Sequence, residues 1–263
     1  MSIQRAFLSF RDALDDHNDR RERLIKTSRD ITAASKKVVF LLHRLAADAP
    51  AGPDTAVASV AYPKLREIQA AFAALRPELA GDAFWRYQHA VSPGLQEYIE
   101  ALSFAHYLEH RTLIPFDDVQ ASLSDADGPF FPLTVADYLL GLSDLTGELM
   151  RFAISSISRR GGRTVASDVS TFVRACKADF EGFTPYVREL AKKQAVTAQS
   201  LLKIEDAAYA IVLRTSEYDL PPELLDDLVA RTVADAGAPG SFARRHQEYE
   251  RVRDEDAEVA YEQ

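Results

Sequence analysis

The chain has a single cysteine, Cys176, so it cannot close an intramolecular disulfide and must hold its fold by packing; it suits a reducing compartment. Helix breakers are also scarce. The 11 glycines and 12 prolines among 263 residues fall below their usual share of roughly 12%. Many gather at a few breakpoints, such as Pro50-Ala51-Gly52-Pro53, Ser92-Pro93-Gly94, Pro221-Pro222 and Gly237-Ala238-Pro239-Gly240. No apolar run approaches the length of a bilayer span, and the opening residues MSIQRAFLSFRD carry charge inside their apolar stretch. Both observations argue against a transmembrane helix and a signal peptide, so no membrane partner is expected. The chain has no phosphate-binding glycine loop, no Glu-x-x-His pair of the di-iron bundles and no His-Glu-x-x-His zinc motif. Positive charge is in deficit, 31 basic against 40 acidic side chains for a net −9, which argues against indiscriminate coating of nucleic acid.

What is present is helical periodicity. Long segments with apolar residues three and four apart separate the breakpoints, and no run alternates β-branched with polar residues. The pattern predicts an all-α chain: a single-domain bundle of about seven mostly long helices over residues 1–235, followed by a charged tail over 236–263. Long helices are expected near 4–47, 54–75, 82–111, 135–158, 165–180 and 185–214, with a short one after Pro115 and another after Pro221-Pro222. Pro63 and Pro93 each mark a kink or a later start. In the first helix Leu24, Ile31, Val38 and Leu45 repeat every seven residues, with Phe10, Leu41 and Leu42 in or beside the stripe. Thr134-Val-Ala-Asp137 has capping-box spacing with Asp in place of Glu. Cys176, beside Phe172 and Val173, reads as core. Asp125-Ala-Asp127-Gly128 has only part of a calcium loop, and Trp85 lies in an aromatic group that suits either core packing or base stacking.

Local charge departs from the global value. From Arg20 to Arg44 there are eight basic and two acidic residues. Arg23, Lys26, Arg29, Lys36, Lys37 and Arg44 fall within an arc of about 140° on a helix, away from the apolar stripe. Such a face is either plain solvated surface or an electrostatic track for a phosphate backbone.

Two carboxylate pairs complete the pattern. Glu97 and Glu100, about 60° apart on one helix, sit among Tyr98, Ile99, Ala101, Leu102, Phe104, Tyr107 and Leu108, where acidic residues seldom go unpaired. Asp144 and Glu148, about 40° apart, share a helix with Gly141 and Gly147, and glycine inside a helix suggests close approach of another backbone or a ligand. Their alternative is an ordinary polar face, with Arg151 neutralising Glu148 from one turn away. If the two helices face each other, four carboxylates converge in an all-oxygen set suited to Mg²⁺ or Mn²⁺ rather than zinc.

The stretches Ser92-Pro-Gly-Leu-Gln-Glu97-Tyr-Ile-Glu100-Ala, Asp137-Tyr-Leu-Leu-Gly141 and Asp144-Leu-Thr-Gly147-Glu148-Leu-Met-Arg151 closely resemble the translin-associated factor X branch of the translin superfamily. So do Ser28-Arg-Asp-Ile31-Thr, Phe40-Leu-Leu-His43-Arg44 and Lys203-Ile-Glu205, in order from about Phe10 to Ala230. The resemblance implies an all-α subunit that assembles with translin into a closed shell. It also implies the catalytic role in a Mg²⁺-dependent endoribonuclease that removes passenger strands in RNA silencing and processes transfer-RNA fragments. Glu97, Glu100 and Asp144 match the catalytic, metal-holding acidic positions, and Glu148 a further acidic position of that site. The basic stretch of Arg20, Arg21, Arg23, Lys26, Arg29, Lys36 and Lys37 matches the region that contributes contacts to single-stranded RNA. The alternative within the superfamily is a non-catalytic RNA-binding or scaffolding subunit. A cytoplasmic location is expected; the basic N-terminal extension linked to nuclear import in some relatives is missing here, which leaves nuclear entry open.

Overall fold

The computed structural model describes residues 3–48, 55–157 and 162–217. Among the described residues seven helices carry nearly all the regular structure: α1 (Ile3–Asp48), α2 (Thr55–Ala74), α3 (Asp82–His110), α4 (Phe116–Ser122), α5 (Val135–Ile157), α6 (Gly162–Glu181) and α7 (Leu190–Glu217). The all-α bundle is as expected. The one addition is a two-residue antiparallel pair, β1 (Ser124–Asp125) with β2 (Gly128–Pro129). It absorbs the calcium-like residues, and Asp125 pairs with Arg76 at 2.8 Å. The expected helix after Pro221-Pro222 and the tail from residue 236 lie outside the described residues.

Neither internal proline ends its helix. The absent N–H of Pro63 falls one turn after Ser59 and that of Pro93 one turn after His89, both on exposed sides of their helices. α7 starts later than its periodicity suggests, at Leu190 rather than Pro185. Short-range turns hold the intervening segment, with Tyr186 N–H bonded to the Phe183 carbonyl and Leu190 N–H to the Val187 carbonyl, each at 3.0 Å.

The site is positioned by α3, which packs against α1, α2 and α5, while α5 in turn packs against α6 and α7. From Tyr98 to Leu108 every residue of α3 is buried except Glu100 and His106, as its all-round apolar composition requires. Small residues let its neighbours come close. Ser28 of α1 donates from Oγ to the Val91 carbonyl at 3.3 Å and accepts from the Gly94 N–H at 3.1 Å. A Cβ on Gly94 would stand 2.8 Å from the Ser28 carbonyl oxygen, so a side chain there would force α1 away. One half of the expected capping box forms, the Asp137 N–H bonding to Thr134 Oγ1 at 3.1 Å, while the Asp137 carboxylate accepts from the Thr134 hydroxyl at 2.8 Å. Asp137 also accepts from Gln96 Nε2 at 2.9 Å, which ties the start of α5 to the middle of α3.

The α1 stripe is buried at Leu24, Ile31, Val38 and Leu42, and Leu45 is half-buried against the core. Phe10 departs from expectation. It is 62% exposed, as Phe7 and Leu14 are, because residues 7–16 of α1 are exposed throughout and no other described part of the chain covers that end. Of the aromatic group near the start of α3, Phe84 and Tyr87 enter the core while Trp85 stays outside. Cys176 is buried, as expected, and burial together with Asp179 pushes its thiol up to about 11. At pH 8 roughly one molecule in 10³ then carries the reactive thiolate. A disulfide reagent should therefore label the native chain orders of magnitude more slowly than the urea-unfolded chain. Equal rates would mean that the α6 helix opens readily.

Candidate functional site

Four helices surround one cavity of ≈ 640 Å³. α1 contributes Lys36, Phe40 and His43, α3 contributes Glu97 and Glu100, α5 contributes Asp144, Gly147, Glu148 and Arg151, and α7 contributes Lys193 and Val196. All four carboxylates singled out from the sequence thus line one space, because α3 and α5 present their acidic faces to each other. The two glycines of α5 have separate reasons. A Cβ on Gly141 would lie 2.7 Å from Ile99 Cβ and 3.0 Å from the Gln96 carbonyl oxygen, so this glycine lets α5 seat on α3. A Cβ on Gly147 would meet nothing within 4 Å; this glycine keeps the cavity wall open.

Three of the four carboxylates are held by cations of the same chain. Glu97 Oε1 lies 3.1 Å from Lys36 Nζ. Asp144 pairs closely with Lys193, whose ammonium also reaches the Leu140 carbonyl at 3.3 Å. Glu148 is bound from both sides, at 2.7 Å by His43 Nε2 and at 2.7 Å by Arg151 Nη1. The local pairing of Arg151 with Glu148 and the convergence of the carboxylates are therefore both true. Phe104, with its ring centroid 4.7 Å from that of His43, backs the imidazole.

Charge is distributed unevenly as a result. Burial alone would raise Glu148, but the His43 hydrogen bond and the charge of Arg151 outweigh it and leave the group below its usual range. Burial raises Asp144, partly offset by Lys193. Glu100 has no such offset of its own. Burial, then the negative charges of Glu148, Asp144 and Glu97, lift its carboxyl from 4.5 to about 8, with only a small opposing pull from Lys193. As placed, no three His, Cys, Asp or Glu side chains among the described residues stand close enough together to hold a metal ion. Side-chain reorientation is needed to assemble one, since three of the four carboxylates are turned toward cations.

The basic stretch of α1 does not act as one unit. Lys36 reaches the cavity. Arg23 instead pairs with Glu78 at 2.9 Å, Arg20 lies over the Tyr87 ring at 5.7 Å, and Arg21 faces Glu22 at 3.7 Å. Lys26, Arg29 and Lys37 are exposed along the helix, as is Arg44. Among the cavity residues that escaped the sequence reading are His43, Lys193, Phe40 and Val196. No local pattern marks them, because each is defined by what a distant helix places opposite it; only the basic and apolar character of α1 around Phe40-Leu-Leu-His43-Arg44 hinted at the first and third.

Residues 19–215 match the model of the Translin family. The chain is 37% identical over 252 residues to Translin-associated protein X of Pongo abelii, across 86% of this chain and 83% of that protein. It is 32% identical over 222 residues to the Translin-associated protein X homolog of Schizosaccharomyces pombe, across 82% of this chain and 90% of the homolog. The solved structure of apo-NeC3PO superposes with a TM-score of 0.61 at 15% identity, over 78% of this chain and 97% of that one. A complex of AfC3PO with duplex RNA superposes with a TM-score of 0.55 at 19% identity, over 78% and 95%. In sequence along most of its length and in fold, the chain belongs to the Translin family.

Proposed function

We propose that this chain is the cutting subunit of an assembly with translin and hydrolyses phosphodiester bonds of single-stranded RNA with the help of Mg²⁺, for which Mn²⁺ can substitute. The observation that carries the reading is the meeting of Glu97, Glu100, Asp144 and Glu148 in one cavity at the edge of a basic helix face. Translin itself is a relative, 24% identical in Gallus gallus, and AfC3PO, similar in fold, has been solved with duplex RNA. The natural substrates implied by the sequence resemblance, passenger strands and transfer-RNA fragments, fit this reading, as does work in the cytoplasm.

The donor chemistry suits the ion. Glu97, Glu100 and Asp144, with Glu148 beside them, offer only carboxylate oxygens, the preference of a hard divalent cation. The negative charge of Glu148, Asp144 and Glu97 around Glu100 is what such a cation would relieve. With Mg²⁺ bound, the site gains a Lewis acid that lowers the pKa of a coordinated water and stabilises charge on phosphoryl oxygens. The remaining work belongs to the chain. Lys36 and Lys193, released from Glu97 and Asp144, can turn toward the phosphate and oppose its growing charge. His43 and Arg151 hold Glu148 in a fixed orientation from two sides. Exposed Lys26, Arg29, Lys37 and Arg44 draw the backbone in from solvent.

One observation favours the second reading, a non-catalytic RNA-binding or scaffolding subunit: the ion pairs that occupy three of the four carboxylates. Metal removal separates the two. The chain co-assembled with translin should cut single-stranded RNA in Mg²⁺, stop in EDTA, and resume when Mg²⁺ or Mn²⁺ is restored, while RNA affinity in EDTA still falls steeply with salt. Salt-sensitive binding with no Mg²⁺-dependent cutting would establish the scaffold reading instead.

A further inference from the structure

Phe40 is 69% exposed and lines the acidic cavity. Its neighbours one turn away on α1 are Lys36, Lys37, His43 and Arg44, so no apolar side chain of its own helix shields the ring. Val196 of α7, 59% exposed, lines the same cavity. A lone exposed aromatic is ordinary. This one stands where three chemistries meet: cations along α1, an apolar ring and valine at the opening, and carboxylates within. That order matches a nucleotide, with phosphates on the cations, a base on the ring and the adjoining phosphodiester at the acids. A protein partner would call for a contiguous apolar patch, and here charged residues interrupt it on both sides.

We infer that Phe40 is a base-stacking platform at the mouth of the cavity, which positions an unpaired base of single-stranded RNA so that its neighbouring phosphodiester enters among the carboxylates. The inference rests on the RNA-cutting reading above and adds to it a positioning residue, which gives that reading's choice of single strands a physical ground. Every base offers a face to stack, so the platform selects for unpaired rather than for particular bases. A duplex keeps its bases stacked on each other and gains nothing from the ring.

Binding is measured on the chain co-assembled with translin, in EDTA and in an Asp144→Asn background, so that cutting does not interfere. The probes are a single-stranded RNA carrying 2-aminopurine and a blunt duplex of the same length. Phe40→Ala should weaken single-strand binding by about tenfold or more, in the range known for loss of one base–aromatic stack. It should also abolish the quenching of 2-aminopurine and leave duplex affinity within about twofold. Phe40→Trp should restore both. Because the ring is exposed, the alanine variant keeps its core. Unchanged single-strand affinity would overturn the inference. So would equal losses for strand and duplex, or a loss of assembly with translin, which would make Phe40 a subunit contact. A complex that shows the stacking signature but never cuts in Mg²⁺ would uphold the platform and defeat the nuclease reading.

Discussion

Glu100→Gln is expected to abolish Mg²⁺-dependent cleavage while making the metal-free chain more stable than the wild type at alkaline pH. The activity should fall by well over ~10²-fold, since partners that only orient metal ligands already cost 10–100-fold. The stability gain follows from linkage. In the folded chain Glu100 releases its proton near 8, whereas in the unfolded chain it does so near the usual 4.5. A raised carboxyl means that the folded state holds the proton more tightly, so this site's contribution to stability is greatest below 4.5. It then declines through the interval and is fully lost above 8. Glutamine has no proton to lose. Melting curves in EDTA should therefore coincide near pH 4 and separate by several degrees by pH 9, with the variant higher. Added Mg²⁺ should raise the wild-type curve at pH 8 and leave the variant nearly unmoved. A variant less stable than wild type at every pH would mean that Glu100 is an ordinary structural carboxylate. A variant that cuts normally with translin would remove it from the catalytic set.

The second large effect concerns the frame. Gly141→Val should destabilise the chain by about 3 kcal/mol or more, at the upper end of what overpacking costs, because both contacting atoms belong to stiff parts of α3. One is the branched Cβ of Ile99 and the other the main-chain carbonyl of Gln96. Neither can swing aside as a long side chain would. Gly147→Ala, six residues along the same helix, should do the opposite and stabilise the fold by up to roughly 1 kcal/mol through helix propensity. Urea denaturation of both variants measures the contrast. If the two shift in the same direction, the close seating of α5 on α3 is not what Gly141 provides.

The helical frame was legible because it is written in short periods. The apolar circumference of α3 marked a buried helix, and Thr134 with Asp137 marked the start of α5. The spacing of Glu97 with Glu100 and of Asp144 with Glu148 put each pair on one face. Whether those faces met was not a matter of period. It depended on Gly94 and Gly141 admitting close contact, and glycine flags a close approach without naming what approaches. His43 and Lys193 were invisible for the same reason: each gains its meaning from a carboxylate about 50 to 105 residues away. Phe10 misled in the opposite sense. It lies two heptads before Leu24, but His17 interrupts the apolar series between them, and no helix among the described residues covers that end.

The internal ion pairs of the cavity bear on the order of events in the protein's life. A bundle that packed four bare carboxylates together would need its divalent ion in order to fold, and newly made chains would compete for it. Here Lys36, Lys193, His43 and Arg151 meet most of that demand from within the chain. Synthesis, folding and storage can then proceed in an ion-poor setting. Under the proposed function the metal becomes a late arrival, needed for cutting and dispensable for construction, so a subunit can be built intact and remain harmless to RNA until its cavity is charged.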